Sequence, residues 1–167
     1  IVDKDNISIL TTKAHRDSSF AHIFLTKNIS EAIFLSSKTG SNAMNLPLYV
    51  YPHSDDSLDI TSFINSKDQV SSFKEEQQKR IPNLKPEVVL SLSENLNLTF
   101  VNEGSDKVYN FSPIDIFDFI YAVLHNNTYR ETYKEFLKTD FPRVPYPKDA
   151  EQFWQLVALG GQLRQIH

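Results

Sequence analysis

The apolar positions along the chain fall into two regimes. Up to about residue 52 they come in short runs that predict strands: Ile7–Thr12, which is β-branched and partly alternating, then Ala21–Thr26, Ala32–Ser36 and Leu46–Tyr51. From about residue 84 the spacing becomes helical. Pro86 opens a predicted helix with Val88, Val89, Leu92 and Leu96 facing inward, and Asn97 stands where a left-handed residue ends such a helix. Leu98–Val101 and Val108–Phe111 flank Gly104-Ser105-Asp106 and predict a β-hairpin.

A second helix is signalled by Ser112 as N-cap, Pro113 at the first helical position and Asp115 reaching back from the third, a variant capping box. Ile114, Ile116, Phe117, Phe119, Ile120, Tyr121, Val123 and Leu124 make it apolar almost all round, which predicts a central helix packed on several sides. His125–Thr128 reads as a turn. A further helix over about Tyr129–Lys138 would put Tyr129, Tyr133 and Phe136 in the core. Three prolines hold Phe141–Pro147 extended. Asp149 caps the last helix, with Gln152 at its third position and Phe153, Leu156, Val157 and Leu163 in one stripe widened by Trp154. Gly160-Gly161 inside it costs roughly 1 kcal/mol per glycine against alanine. Close packing against a neighbouring helix would explain the pair; a kink is the alternative.

Between the regimes, Pro52–Ser72 is rich in Ser and Asp and has no period, as in a surface excursion or a linker. A helix from about Asp68 to Arg80 would carry a solvated charged face. The expected fold class is therefore α+β: an N-terminal β-rich half, mainly antiparallel, packed with a C-terminal helical half that contains the hairpin. One domain spans 1–167, with a β-rich part at 1–52, a polar connection at 53–83 and a mainly helical part at 84–167. At 167 residues and 40% hydrophobic content, one such unit has a core.

Composition then narrows the chemistry. There is no cysteine, hence no disulfide framework or thiolate metal site, in keeping with a reducing cytoplasm. No apolar run approaches about 18 residues, so no membrane partner is expected. The chain starts at Ile1 without a signal peptide, has Met44 as its only methionine and ends within a predicted helix, as a piece of a longer polypeptide would. The sequons at Asn6, Asn28, Asn97, Asn110 and Asn126 read as chance in an asparagine-rich chain. Glycine occurs only at 40, 104, 160 and 161, so no phosphate loop or dinucleotide fingerprint can be written. The five histidines have no metal-ligand spacing, and no nucleophile elbow, E-x-K or N-P-P-Y pattern occurs. Asp55-Asp56 and Glu75-Glu76 lie in polar segments. The chain reads as a non-catalytic module.

Its formal charge of −4 is a poor match to bulk electrostatic binding of DNA, which needs many Lys and Arg contacts. Two polar connections nevertheless concentrate basic and amide side chains of the kind that contact phosphates and base edges, Lys13–Ser19 and Ser37–Asn45. Ordinary solvated loops are the plainer reading of both.

Residues 119–145, FIYAVLHNNTYRETYKEFLKTDFPRVP, resemble the motif YIYAVLHSPxYRxxYxEFLKxDFPRIP. That motif belongs to the C-terminal specificity region of single-chain restriction–modification enzymes, the Type ISP enzymes and related helicase–methylase fusions. Residues 36–52, 84–100 and 153–167 resemble further segments of the same region. Asn126-Asn127 stands where the family has Ser-Pro, and Asn97 where it has glycine; both suit turns. The resemblance implies a target-recognition domain that reads double-stranded DNA and presents an adenine to a methyltransferase domain of the parent chain. It also implies a nuclease and an ATP-driven motor elsewhere in that chain. S-adenosylmethionine, Mg2+ and ATP would serve the parent, with no cofactor held by this segment. Candidate DNA contacts are Lys13, His15, Arg16, Ser36, Ser37, Lys38, Thr39, Asn42 and Asn45. Arg143, within the motif, is a structural residue or a phosphate contact. A docking scaffold between parent domains is the competing reading, and a small standalone enzyme is a third that lacks a site.

Overall fold

The computed structural model describes residues 5–13, 20, 22–28, 30, 35, 42–51 and 80–167. The N-terminal part is built on β1 (Ser8–Thr12), a run of small and branched side chains that suits a pleated, enclosed position and is buried along its whole length. β2 (Phe24–Thr26) and β3 (Ala43–Pro47) flank it, both antiparallel, in the order β2-β1-β3. Leu10 lies opposite Phe24 on one side and Asn45 on the other, and Thr12 lies opposite Ala43. β3 begins three residues before the predicted start at Leu46. Ala43, Met44 and Asn45 complete the main-chain ladder to Thr12, Thr11 and Leu10, and a flanking strand needs no apolar run to do so.

After β3 the chain changes partner. Leu48 donates its amide to the Ile7 carbonyl at 2.8 Å, and β4 (Tyr49–Val50) then pairs antiparallel with β5 (Ile81–Pro82). Asn6 clamps this crossing, its Nδ2 donating to the Tyr49 carbonyl at 2.8 Å and its Oδ1 accepting from the Tyr49 amide at 3.1 Å. The predicted strand at Ala32–Ser36 and the predicted helix from Asp68 lie outside the described residues, apart from Leu35 and Arg80. Arg80 leads directly into β5 and is not helical.

Helix α1 (Pro86–Leu96) starts at its proline, buries Leu92 and Leu96, and ends at Asn97 with φ 52° and ψ 42°, the left-handed cap expected there. The strands after it do not form the predicted hairpin. β6 (Thr99–Phe100) and β7 (Asn110–Phe111) run parallel. The Asp106 carboxylate Oδ1 gathers the amides of Val108, Tyr109 and Asn110 at 2.8, 2.8 and 3.1 Å, and Gly104 and Lys107 take φ of 70° and 58°. The connection thereby coils back and re-enters alongside β6 in the same direction, with the Thr99 amide on the Tyr109 carbonyl and the Val101 amide on the Phe111 carbonyl, both at 2.9 Å.

Helix α2 (Pro113–His125) is the centre of the helical part. Its capping box is present: Asp115 Oδ2 accepts from the Ser112 amide at 2.8 Å and the Ser112 hydroxyl at 2.7 Å, and also from the Ser105 hydroxyl at 2.6 Å. Ten of its residues are buried, from Pro113 to Leu124, as its all-round apolar pattern requires. The turn after it shrinks to Asn126, whose Oδ1 caps the Tyr129 amide at 3.1 Å. The next helix is split in two, α3 (Asn127–Thr132) and α4 (Lys134–Leu137), because Tyr133 leaves helical geometry at φ −102° and ψ 14°. Tyr129 and Leu137 are buried, but Tyr133 is not a core residue: the break turns it outward to 42% exposure, its ring 5.0 Å from that of Tyr129. Phe136 is half-buried beneath the Arg143 guanidinium. The proline strap is extended, and the Tyr129 hydroxyl donates to the Arg143 carbonyl at 3.0 Å.

Helix α5 (Ala150–Ile166) lies along α2 in the most extensive helix packing of the described chain. Asp149 caps the Gln152 amide at 2.8 Å, and Phe153 and Val157 are buried against α2 and β7. A Cβ on Gly160 would stand 1.9 Å from the Asp118 carbonyl oxygen, so close helix packing is the reason for that glycine. The fold class is α+β, with antiparallel strands in the N-terminal half and helices in the C-terminal half. Among the described residues no helix is long and apolar enough to cross a membrane.

Candidate nucleic-acid interface

Strand register decides which of the candidate contacts can act together. Thr12 pairs with Ala43, so Lys13 leaves β1 beside the point where Asn42 enters β3. Both are exposed. The two polar connections singled out by composition therefore meet the sheet at one end, side by side, although Lys13 and Asn42 are 29 residues apart in sequence. His15, Arg16, Ser36, Ser37, Lys38 and Thr39 lie outside the described residues. Phe24 and Met44, 47% and 41% exposed, border it.

Asn45 occupies a different position. It belongs to β3, half-buried, and its Nδ2 donates to the Asn28 carbonyl at 3.2 Å. The same carbonyl accepts from the Thr26 hydroxyl at 3.0 Å, so Asn45 braces the turn after β2. Its Oδ1 is buried without a hydrogen-bond partner among the described residues, as are the hydroxyls of Thr11 and Thr12. Arg143 sits apart from the sheet, on the strap. Its side chain is 78% exposed, lies 4.9 Å over the Phe136 ring and approaches Asp140 at 3.5 Å. A cation stacked on a ring and loosely paired keeps its donors accessible.

Beyond the other end of the sheet lies a cavity of about 390 Å3 lined from both parts of the fold, by Asp5, Lys27, Tyr49, Arg80, Glu103 and Arg164 among others. Arg80 bridges it. Its guanidinium lies 4.2 Å over the Tyr49 ring, its Nε donates to Glu103 at 2.8 Å, and Asp5 stands 3.8 Å away. The hydrogen bond to Glu103 holds Arg80 more firmly charged, while burial raises the Tyr49 hydroxyl above its ordinary range. Arg164 reaches the cavity from α5 and forks onto Asp118 of α2, at 2.6 and 2.9 Å. That planar pair, with Asp118 only 4% exposed, locks α5 against α2. The spacing of Asp115 and Asp118 within an otherwise apolar helix is the one sequence signal of buried carboxylates; Asp115 is held locally by Ser112, whereas the partner of Asp118 lies 46 residues away.

At the far end of α2, the Tyr121 hydroxyl and His167 Nδ1 share a hydrogen bond of 2.5 Å. The His125 ring lies 4.5 Å from that of Tyr121, and Arg130 Nη2 is 3.3 Å from its Nδ1. Burial pushes Tyr121 up to about 12 and, with the charges of Arg130 and His167, pushes His125 down to about 4. His125 is thus neutral at ordinary pH. Among the described residues no group of three or more His, Asp or Glu is placed to hold a metal ion.

What the described geometry offers is a small sheet with Lys13 and Asn42 exposed side by side at one end, packed with a helical part. Among solved structures, the DrdV–DNA complex determined by cryo-EM matches with a TM-score of 0.59 and 24% identity, over 95% of this chain and 12% of that one. The ATP-dependent Type ISP restriction-modification enzyme LlaBIII, bound to DNA, matches with a TM-score of 0.62 and 19% identity, over 99% of this chain and 8% of that one. These likenesses are of fold. No curated protein matches the chain. The Type ISP C-terminal specificity domain family matches residues 1–167, and the chain belongs to that family.

Proposed function

We propose that this domain reads a double-stranded DNA sequence for a restriction–modification enzyme and positions it for an adenine methyltransferase and a nuclease elsewhere in the parent chain. The observation that carries the reading is the departure of both polar loops from one sheet end, in a chain of the specificity-domain family. That two DNA-bound proteins, one of them a Type ISP restriction-modification enzyme, share the fold supports it. Lys13, His15, Arg16, Ser36, Ser37, Lys38, Thr39 and Asn42 are the proposed contacts. Lysine and arginine would take phosphates or guanine edges, and amides and hydroxyls would read other base edges. Asn45 would act through the turn it braces, and Arg143 would take a phosphate.

In this reading the domain itself is non-catalytic and works in the cytoplasm. S-adenosylmethionine, Mg2+ and ATP would be used by other parts of the parent. Those parts would also supply much of the phosphate binding, which reconciles the charge of −4 with a DNA partner. Fluorescence-anisotropy titration of the parent enzyme, with Arg16→Ala and Lys38→Ala, tests it. Binding weakened in both variants is expected; unchanged affinity and site preference would remove these residues from the interface. A docking role for the helical part is compatible with this reading. It is favoured by Leu159 and Ile166, 54% and 77% exposed beside a cavity of about 280 Å3.

A further inference from the structure

The loop between β6 and β7 is held more tightly than a connection of its length needs. Besides the three amides on Asp106 Oδ1, Asp106 Oδ2 accepts from Asn110 Nδ2 at 2.9 Å, and Asn110 Oδ1 accepts from the Asp106 amide at 2.8 Å. Ser105 ties the loop to the buried Asp115 at 2.6 Å. Lys107 accepts a left-handed backbone, a conformation that L side chains adopt at a cost and that often marks a functional position. All this fixes a tip whose side chains are Val108, 60% exposed, and Tyr109, 76% exposed. A large, stiff amphipathic ring displayed on a preorganised loop is the usual form of an interface anchor.

Two observations choose the partner. Gly104 lines the cavity at the Ser8 end of β1, with Asp5 and Lys27, whereas Lys13 and Asn42 stand at the Thr12 end. The five residues of β1 separate those ends by on the order of 14 Å. The charge offers no net attraction for a polyanion: Glu103 is paired with Arg80 at 2.8 Å, which leaves Asp106 against one lysine, Lys107. A protein surface suits both facts. In the two DNA-bound proteins of the same fold, the matching part is only 12% and 8% of the chain, so most of such a polypeptide lies outside it.

We propose that the Gly104–Tyr109 loop docks this domain onto another part of its own parent chain, with Tyr109 and Val108 entering an apolar depression that offers the tyrosine hydroxyl a hydrogen-bond partner. The proposal rests on the reading of the chain as one domain of a larger DNA-reading enzyme. The loop starts, at Gly104, by the opposite end of the sheet from Lys13 and Asn42.

Hydroxyl-radical footprinting of the full-length enzyme, read by mass spectrometry, tests it without a variant. Tyr109 oxidation is compared with its rate in guanidinium-unfolded enzyme, with and without target duplex, and Tyr121 serves as the buried reference at 0% exposure. Docking predicts oxidation of Tyr109 slowed at least about tenfold in the DNA-free enzyme and equally in the complex. Slowing seen only with DNA would overturn the proposal and make the loop a DNA contact. Oxidation of Tyr109 near the unfolded rate in both samples would overturn it outright. Anisotropy on the same samples reports DNA binding separately, so a failure of the DNA reading is visible independently of Tyr109.

Discussion

Replacing Gly160 by alanine sets two physical effects against each other. Helix propensity alone favours the change by about 1 kcal/mol, since Gly160 lies inside α5 and glycine is costly there. Packing opposes it. The new Cβ would meet the Asp118 carbonyl oxygen at 1.9 Å, the carbonyl carbon at 2.6 Å and Cα at 3.0 Å, while ordinary contact begins at 3.4 Å. The shortfall is about 1.5 Å and the obstacle is backbone, so no rotamer change relieves it. α5 has to move off α2, loosening Phe153 and Val157 and stretching the Arg164–Asp118 fork. Overpacking of this kind costs about 3 kcal/mol or more, outweighing the propensity gain. Net of the propensity gain, about 2 kcal/mol, that is a fall in Tm of about 4–8 °C for a domain of this size. At Gly161 the added Cβ meets only Asp118 Oδ2, at 3.2 Å, and Gly161→Ala should change stability by no more than about 1 kcal/mol. Differential scanning fluorimetry and urea denaturation of both variants measure the contrast. A Gly160→Ala protein with an unchanged or raised Tm would refute the reasoning.

Other expectations follow from buried groups. Arg164→Met leaves Asp118 charged and buried without its partner and should cost about 3 kcal/mol, whereas the double variant Asp118→Asn with Arg164→Met should recover part of it in a thermodynamic cycle. His125 has a folded pKa of about 4 against an ordinary 6.5, so the unfolded chain binds more protons between those values. Stability from this group is complete above about pH 6.5 and is lost as pH falls towards 4. Thermal unfolding across that range should show a shallower decline in His125→Leu, and an identical pH profile would contradict the assignment.

Features set by neighbours along the chain are legible in the sequence itself. Ser112, Pro113 and Asp115 define a helix start within four residues, and Asn97 ends α1 through its own tolerance of a left-handed backbone. Features set by distant partners are not. Leu98–Val101, a glycine and Val108–Phe111 have the pattern of a hairpin; only the capture of three amides by Asp106 turns the pair parallel. By pattern Tyr133 sits on the apolar stripe of a continuous helix, and its residue type does not signal the backbone break, at φ −102° and ψ 14°, that accompanies its exposure. Asp118 and Arg164 are 46 residues apart, and Arg80 bridges groups at 5, 49 and 103. At the candidate interface the residue types are legible, but not their arrangement. Strand register alone brings Lys13 beside Asn42 and takes Asn45 into a strand.

The central claim is that the loops leaving the Thr12–Ala43 end of the sheet carry sequence information. Selection of bound duplexes from a randomised pool, followed by sequencing, tests it on the parent enzyme and on a Lys13→Ala, Asn42→Ala variant. Loss of even one base-edge contact is worth about 1–3 kcal/mol of discrimination. The account therefore predicts that at least one position of the selected motif relaxes by about tenfold or more, while total DNA retention falls less. A variant that selects the same motif with the same preference at every position would contradict it.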